Sequence, residues 1–168
     1  KTSGIPIIRI QNLNGGQDYN FFQGPAENDW VVEDGDLLFS WSGSKGTSFG
    51  PFLWKGHRAL LNQHIFNVKN IDSVDRRYLY QLLRKITASI EQRAHGSAGL
   101  VHVTKRELEG FAVSLPPVSE QKKIAEILSA VDDTIERTAA VIGKTQELKD
   151  VLAHEVLTRG IGHTRFSK

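Results

Sequence analysis

Apolar residues recur at Ile124, Leu128, Val131, Ile135, Ile142, Leu148 and Leu152, with Thr138 and Thr145 at two interval positions, and most steps alternate between three and four residues. That rhythm predicts a helix from Ser119 to about Leu157, stopped by Arg159 and Gly160, with a coiled-coil seam along one side. At 1.5 Å per residue the run is roughly 58 Å long, more than the diameter of the small domain that the preceding residues can make. A projecting helix that finds a partner helix is therefore expected. The competing arrangement is an amphipathic helix folded back on its own core, which Gly143 and the two threonines leave open by weakening the seam. Ser119 is the expected cap, and Glu120 suits the positive end of the helix dipole.

Upstream the periods are shorter. Residues 5–10, 36–40, 60–68 and 111–115 read as strands, separated by turns such as Asn14-Gly15-Gly16 and Asp34-Gly35-Asp36. One helix interrupts them over residues 75–93, with Leu79, Leu82, Leu83, Ile86 and Ile90 on one stripe and His95-Gly96 as its stop. Two prolines at 116 and 117 cannot continue a strand ladder, so the domain boundary is expected at Leu115-Pro116-Pro117. The prediction is an α+β chain: a mixed-sheet globular domain over residues 1–115, then one long helix in residues 116–168.

The 168 residues suffice for one domain and an appendage. The absence of cysteine excludes disulfides and thiolate metal sites and makes a reducing cytoplasm the natural setting. No apolar run approaches a membrane span, and a soluble chain is expected. The chain opens on Lys1 with a strand pattern almost at once, which suggests a natural start further upstream. The net charge of +2 is small, but residues 61–115 hold eight Lys or Arg against five Asp or Glu. That excess, around Arg76, Arg77, Arg84, Lys85, Arg93, Lys105 and Arg106, fits a phosphate-facing patch or a solvated helix face.

Most enzyme chemistries fail on spacing. Gly43-Ser44-Lys45-Gly46 lacks both the spacing and the hydroxyl after lysine of a phosphate loop. Leu115-Pro116-Pro117-Val118 lacks the polar residue and the aromatic ring that an amino-methyltransferase needs to hold a flipped base. The pairs His57 with His64 and His95 with His102 have no tight carboxylate cluster, so no metal site is expected, and Ser42 lacks the setting of an elbow nucleophile. No catalytic residue is assigned. What remains is binding chemistry. Trp41-Ser42-Gly43-Ser44-Lys45-Gly46-Thr47-Ser48 offers glycines that let backbone N–H groups approach phosphate, hydroxyl donors and a lysine; an ordinary surface loop with Trp41 packed beneath it is the competing reading. Asn62, Gln63 and His64 follow an apolar stretch, and an Asn or Gln amide can pair with an adenine edge. Arg9, Gln11 and Asn12 leave the first strand similarly, and Arg93, His95 and Ser97 lie where the first long helix ends.

Three segments appear in a meaningful order: Ile5-Pro6-Ile7-Ile8-Arg9-Ile10-Gln11-Asn12-Leu13, Gly35-Asp36-Leu37-Leu38-Phe39-Ser40-Trp41-Ser42-Gly43-Ser44 and Leu115-Pro116-Pro117-Val118-Ser119-Glu120-Gln121-Lys122-Lys123-Ile124-Ala125. Together they resemble the specificity subunit of type I restriction-modification systems, over nearly the whole chain, and the last segment is the most specific. The resemblance implies a subunit with two target-recognition domains, each followed by a long helix, the helices pairing antiparallel; this chain looks like one half. Residues 158–166 are similar to the link into a second domain, so a truncated subunit and a natural half-subunit both fit.

The resemblance further implies divided labour. This chain reads a half-site of a bipartite target in double-stranded DNA, associated methyltransferase subunits flip and methylate an adenine at N6, and a restriction subunit supplies translocation and cleavage. On that implication the chain is non-catalytic and holds no cofactor: S-adenosylmethionine belongs to the methyltransferase subunits, ATP and Mg to the restriction subunit. A half-subunit would form a homodimer through Leu128, Val131, Ile135, Ile142, Leu148 and Leu152, leaving Lys122, Glu126, Asp133 and Lys144 for the methyltransferase subunits. The competing class is a coiled-coil interaction or scaffold module that binds no DNA. A free-standing nuclease lacks a carboxylate–lysine cluster.

Overall fold

A computed structural model describes residues 3–69, 72–93 and 99–161. Contacts divide the chain into two units, residues 1–125 and residues 126–168. The first unit thus continues past the junction at residue 115 and takes in the opening turns of the long helix.

Among the described residues, three small sheets build the first unit. The strands β1 (Ile5–Ile8), β2 (Asn20–Phe22), β3 (Val31–Val32) and β7 (Ala59–Leu61) form a mixed sheet in the order β2-β1-β7-β3, with β1 parallel to β7 and the outer pairs antiparallel. A second, antiparallel sheet has the order β6 (Gly50–Leu53), β4 (Leu37–Ser40), β8 (Ile65–Asn67), and a third pairs β5 (Ser42–Ser44) with β9 (Leu100–His102). Helices α1 (Ile10–Leu13), α2 (Arg76–Arg93) and α3 (Lys105–Glu109) complete the unit, and α4 (Val118–Arg159) begins in it. The architecture is α+β with a mixed sheet and a long C-terminal helix.

The run Leu37-Leu38-Phe39 is apolar without alternation because β4 is buried on both faces. Leu38 joins a core with Ile8, Val32, Trp54, Ala59, Leu61 and Ile65, while Leu37 and Phe39 face a second core with Phe49, Leu83, Val101 and Val103. The turn into β4 needs Gly35 at φ +83°, where its N–H donates to the Trp54 carbonyl oxygen. Asp75 caps α2, its Oδ1 accepting from the N–H groups of Arg77 and Tyr78.

Several expectations are corrected. The first strand ends at Ile8 because Arg9 turns the chain into α1, where the Arg9 N–H donates to Asn12 Oδ1. Residues 60–68 are two strands in different sheets: Asn62 accepts from the N–H of Ile65 through its carbonyl and from that of His64 through its side chain, closing a turn between them. Residues 111–115 pair with no strand among the described residues. Residues 42–44, expected as loop, form β5 against β9, a strand the sequence pattern did not announce. Helix α4 starts one residue early, and its first free N–H groups, those of Glu120 and Gln121, donate to the Pro117 carbonyl, so Ser119 lies inside the first turn and is not the cap. At the other end Gly160, at φ +68°, donates its N–H to Val156, the left-handed stop that Arg159-Gly160 predicts.

Candidate nucleic-acid interface

The parallel pairing of β1 with β7 brings two of the polar runs to one edge. Ile8 lies beside Leu61, and the Asn62 N–H donates to the Ile8 carbonyl at 3.0 Å, so residues 9–12 and 62–64 leave neighbouring strand ends. On the first run, Arg9 Nη2 donates to the carbonyl and the carboxylate of Asp18, at 2.7 and 3.2 Å. Asn12 is buried and its amide donates to the carbonyls of Gly16 and Asp18, so it holds the turn from within. Gln11 is exposed, with a long bond to the Asp18 carbonyl.

Trp41 organises the second run. Its indole N–H donates to the Gln63 carbonyl at 3.0 Å, and its backbone N–H donates to that of His64 at 3.2 Å. Its ring stacks on Phe66, tilts against His64 and meets His102 edge-on, with centroids 6.0, 5.1 and 4.7 Å apart. Ser42 faces His102 across the β5–β9 ladder. Asn62 is a turn former, whereas the Gln63 side chain is exposed. His102 is exposed beside these residues, and no local sequence signal marks it as such, because only the β5–β9 pairing brings it to Trp41. Further along, the N–H and hydroxyl of Thr104 donate to the Glu107 carboxylate and hold its pKa below the ordinary value, with nearby His102 adding to the effect.

The loop after β5 differs from the phosphate-binding nest that its glycines and hydroxyls predict. The N–H groups of residues 44 to 48 all have partners within the chain: Ser44 on Ser48 Oγ, Lys45 on the Gly99 carbonyl, Gly46 on the Glu91 carboxylate at 2.7 Å, and Thr47 and Ser48 on the Ser44 carbonyl. No backbone donor of that stretch is left for a phosphate, and Glu91 sets a negative group against it; the Lys45 side chain remains exposed. Gly43 is required for packing: a Cβ there would sit 2.6 Å from the Ser48 carbonyl carbon. Gly43→Ala is therefore expected to displace residues 44–48 and destabilise the unit by about 2 kcal/mol, readable as a lower urea midpoint with an unchanged m-value.

The middle cations are partly neutralised. Arg76 pairs with Asp36 at 3.4 Å and Lys105 with Glu109 at 3.6 Å, while Arg77, Lys85 and Arg106 are exposed. Arg84 lies over the Tyr80 ring. The side chain of Arg93, with His95 and Ser97, lies outside the described residues, as does the expected helix stop at residues 95–96. Among the described residues no group of three or more His, Cys, Asp or Glu side chains is placed to hold a metal ion, and no helix is long and apolar enough to cross a membrane.

A mixed-sheet unit with polar strand-end turns and a long C-terminal helix defines a class, and comparison with known proteins identifies it. The chain belongs to the family described as the type I restriction modification DNA specificity domain, whose model matches residues 1–148. It is 28% identical over 178 residues to the type I restriction enzyme EcoBI specificity subunit of Escherichia coli, covering 93% of this chain and 36% of that subunit. In fold it is similar to a chain from a structure on complex assembly and conformational transition of the type I R-M system, with TM-score 0.67 and 17% identity over 95% of this chain and 39% of that one. It is also similar to the HsdS subunit from Thermoanaerobacter tengcongensis, with TM-score 0.58 and 17% identity over 96% of this chain and 39% of that one. The chain thus spans well under half the length of these relatives.

Proposed function

We propose that this chain is a recognition half of a type I specificity subunit: it reads one half-site of a bipartite DNA target and positions methyltransferase subunits for adenine N6 methylation and a restriction subunit for cleavage. The observation that carries this reading is the family match over residues 1–148, together with the polar turns 9–12 and 62–64 at neighbouring strand ends. In this reading the chain performs no chemistry and holds no cofactor; S-adenosylmethionine, ATP and Mg act on the partner subunits. Gln11, Gln63 and Ser42 face base edges or phosphates, with His102 joining them, and Lys45 contributes charge without a backbone nest. The site of action is the cytoplasm.

The exposed stripe of α4 pairs with a second such helix, in a homodimer or against the equivalent helix of the other half. The test is methyl transfer to a randomised duplex pool by this chain with its cognate methyltransferase subunits, with modified adenines read by sequencing. A bipartite motif that requires the chain supports the proposal, and methylation without a chain-dependent motif overturns it. A rigid helical spacer sets the distance between two recognition units, so deleting residues 135–141 is expected to shorten the gap in that motif by about 10 Å, or three base pairs. An unchanged gap would remove the spacer role.

A further inference from the structure

We propose that His64 is a positioning residue for base reading by Gln63: its bare ring Nε2 accepts one amide hydrogen of Gln63 and so fixes the order of acceptor and donor on the amide edge, making that edge a match for adenine. The inference rests on the DNA-reading function proposed above.

Gln63 Nε2 and His64 Nε2 are 3.3 Å apart. Two nitrogens so placed form a hydrogen bond only when the amide N–H donates to an unprotonated ring nitrogen. When the donated hydrogen is the one trans to Oε1, the second amide hydrogen and Oε1 lie side by side on the free edge. That pair meets N6–H and N7 of adenine in the major groove. The peptide beneath is held on several sides: Trp41 Nε1 donates to the Gln63 carbonyl, the Trp41 N–H donates to the His64 carbonyl, and Asn62 Oδ1 accepts from the His64 N–H. The His64 ring itself rests against the indole at 5.1 Å. Gln63 is thus an exposed side chain on an immobilised turn, and its side-chain torsions, the terminal one included, are the freedom left for a neighbour to fix. Without the ring acceptor that torsion admits both amide orientations, and one of them presents donor and acceptor in the reverse order.

The same tautomer puts the ring hydrogen on Nδ1, which is buried and has no hydrogen-bond partner among the described residues. His64→Phe, which keeps a ring against Trp41 and removes both ring nitrogens, separates packing from reading.

The experiment is the same randomised-pool methylation with the chain and its cognate methyltransferase subunits, comparing wild type, H64F, H64Q and Q63A. Q63A is expected to relax one A·T position of the half-site by about fivefold or more, and H64F the same position, with the rest of the motif retained. H64Q, whose Oε1 restores an acceptor, is expected to keep the wild-type preference. An H64F motif identical to wild type, relaxation spread over every position, or a Q63A effect at a G·C pair overturns this inference alone. A wild-type chain that yields no motif overturns the underlying function instead.

Discussion

Ile135→Asp is expected, on the homodimer proposed above, to convert a dimer to a monomer in sedimentation. The register supports a specific seam: Leu128, Ile135, Ile142 and Val156 fall on one heptad position, and Ile124, Val131, Thr138, Thr145 and Leu152 on the other. Ile135 and Ile142 are 60% and 64% exposed in the single chain, an apolar stripe of the kind that a partner helix covers in the proposed dimer. The threonines do not interrupt this stripe. Thr138 Oγ1 donates to the Thr134 carbonyl and Thr145 Oγ1 to the Val141 carbonyl, each at 2.8 Å, so the hydroxyls are satisfied within the helix and need no partner across the seam. Lys149 interrupts the first heptad position, with Leu148 beside it, which places the weaker pairing toward the C-terminal end. Removing one buried isoleucine from each helix forfeits about 2 kcal/mol apiece before the cost of two desolvated carboxylates, so the dissociation constant should rise by at least about a thousandfold. A variant that sediments with the wild type would show that Ile135 is outside the seam, and a monomeric wild type would dismiss the homodimer.

The contrast between that helix and the globular unit shows what a sequence discloses. The apolar rhythm of α4 and the stripe of α2 are local, so the period places both starts to within a residue, and Arg159-Gly160 marks the end of α4. β4 was legible because three apolar residues follow a turn anchored by Gly35. The strands without a local signal, β2, β3, β5, β6 and β9, are two to four residues long and exist through their ladders, which join residues as distant as Ser42 and His102. Residues 60–68 read as one strand because nothing local reveals that β7 and β8 belong to different sheets; Asn62, Gln63 and His64 were read as a polar run beside it, and their turn is what separates the two. The same limit governs the candidate site. Gln63 and Trp41 are nameable from residue type, but the Trp41–His64–His102 cluster follows from two pairings, β4 with β8 and β5 with β9. The loop after β5 misled for the opposite reason: glycines and hydroxyls that suit a phosphate nest also suit a turn closed on itself, and the Ser48 hydroxyl, Gly99 carbonyl and Glu91 carboxylate decide between them.

Gln121→Ala is expected to lower the stability of the globular unit by about 3 kcal/mol. Gln121 is 1% exposed, and it makes three hydrogen bonds: Oε1 accepts from the Asp75 N–H at 2.8 Å, and Nε2 donates to the carbonyls of Ser73 and Pro116 at 3.1 and 2.8 Å. One amide thereby joins the start of α2, the diproline junction and the first turns of α4 within a single unit. Gln121 is buried while Asp75 and Pro116 are half-buried and Ser73 is exposed, so truncation costs about 1–3 kcal/mol for each of the donor and two acceptors that water or another group does not reach. The amide is also the one functional group of this size that supplies an acceptor to one peptide and two donors to others. Gln121→Glu tests that point: the carboxylate still accepts from Asp75 but faces two carbonyl oxygens, so its pKa is driven up and the loss should be greater at neutral pH than in mild acid, where protonation returns one donor. Urea unfolding at the two pH values decides it. Equal stability of Q121E and wild type at neutral pH would mean that the two carbonyls find other donors and that the junction is held by packing of Ala125 and its neighbours instead.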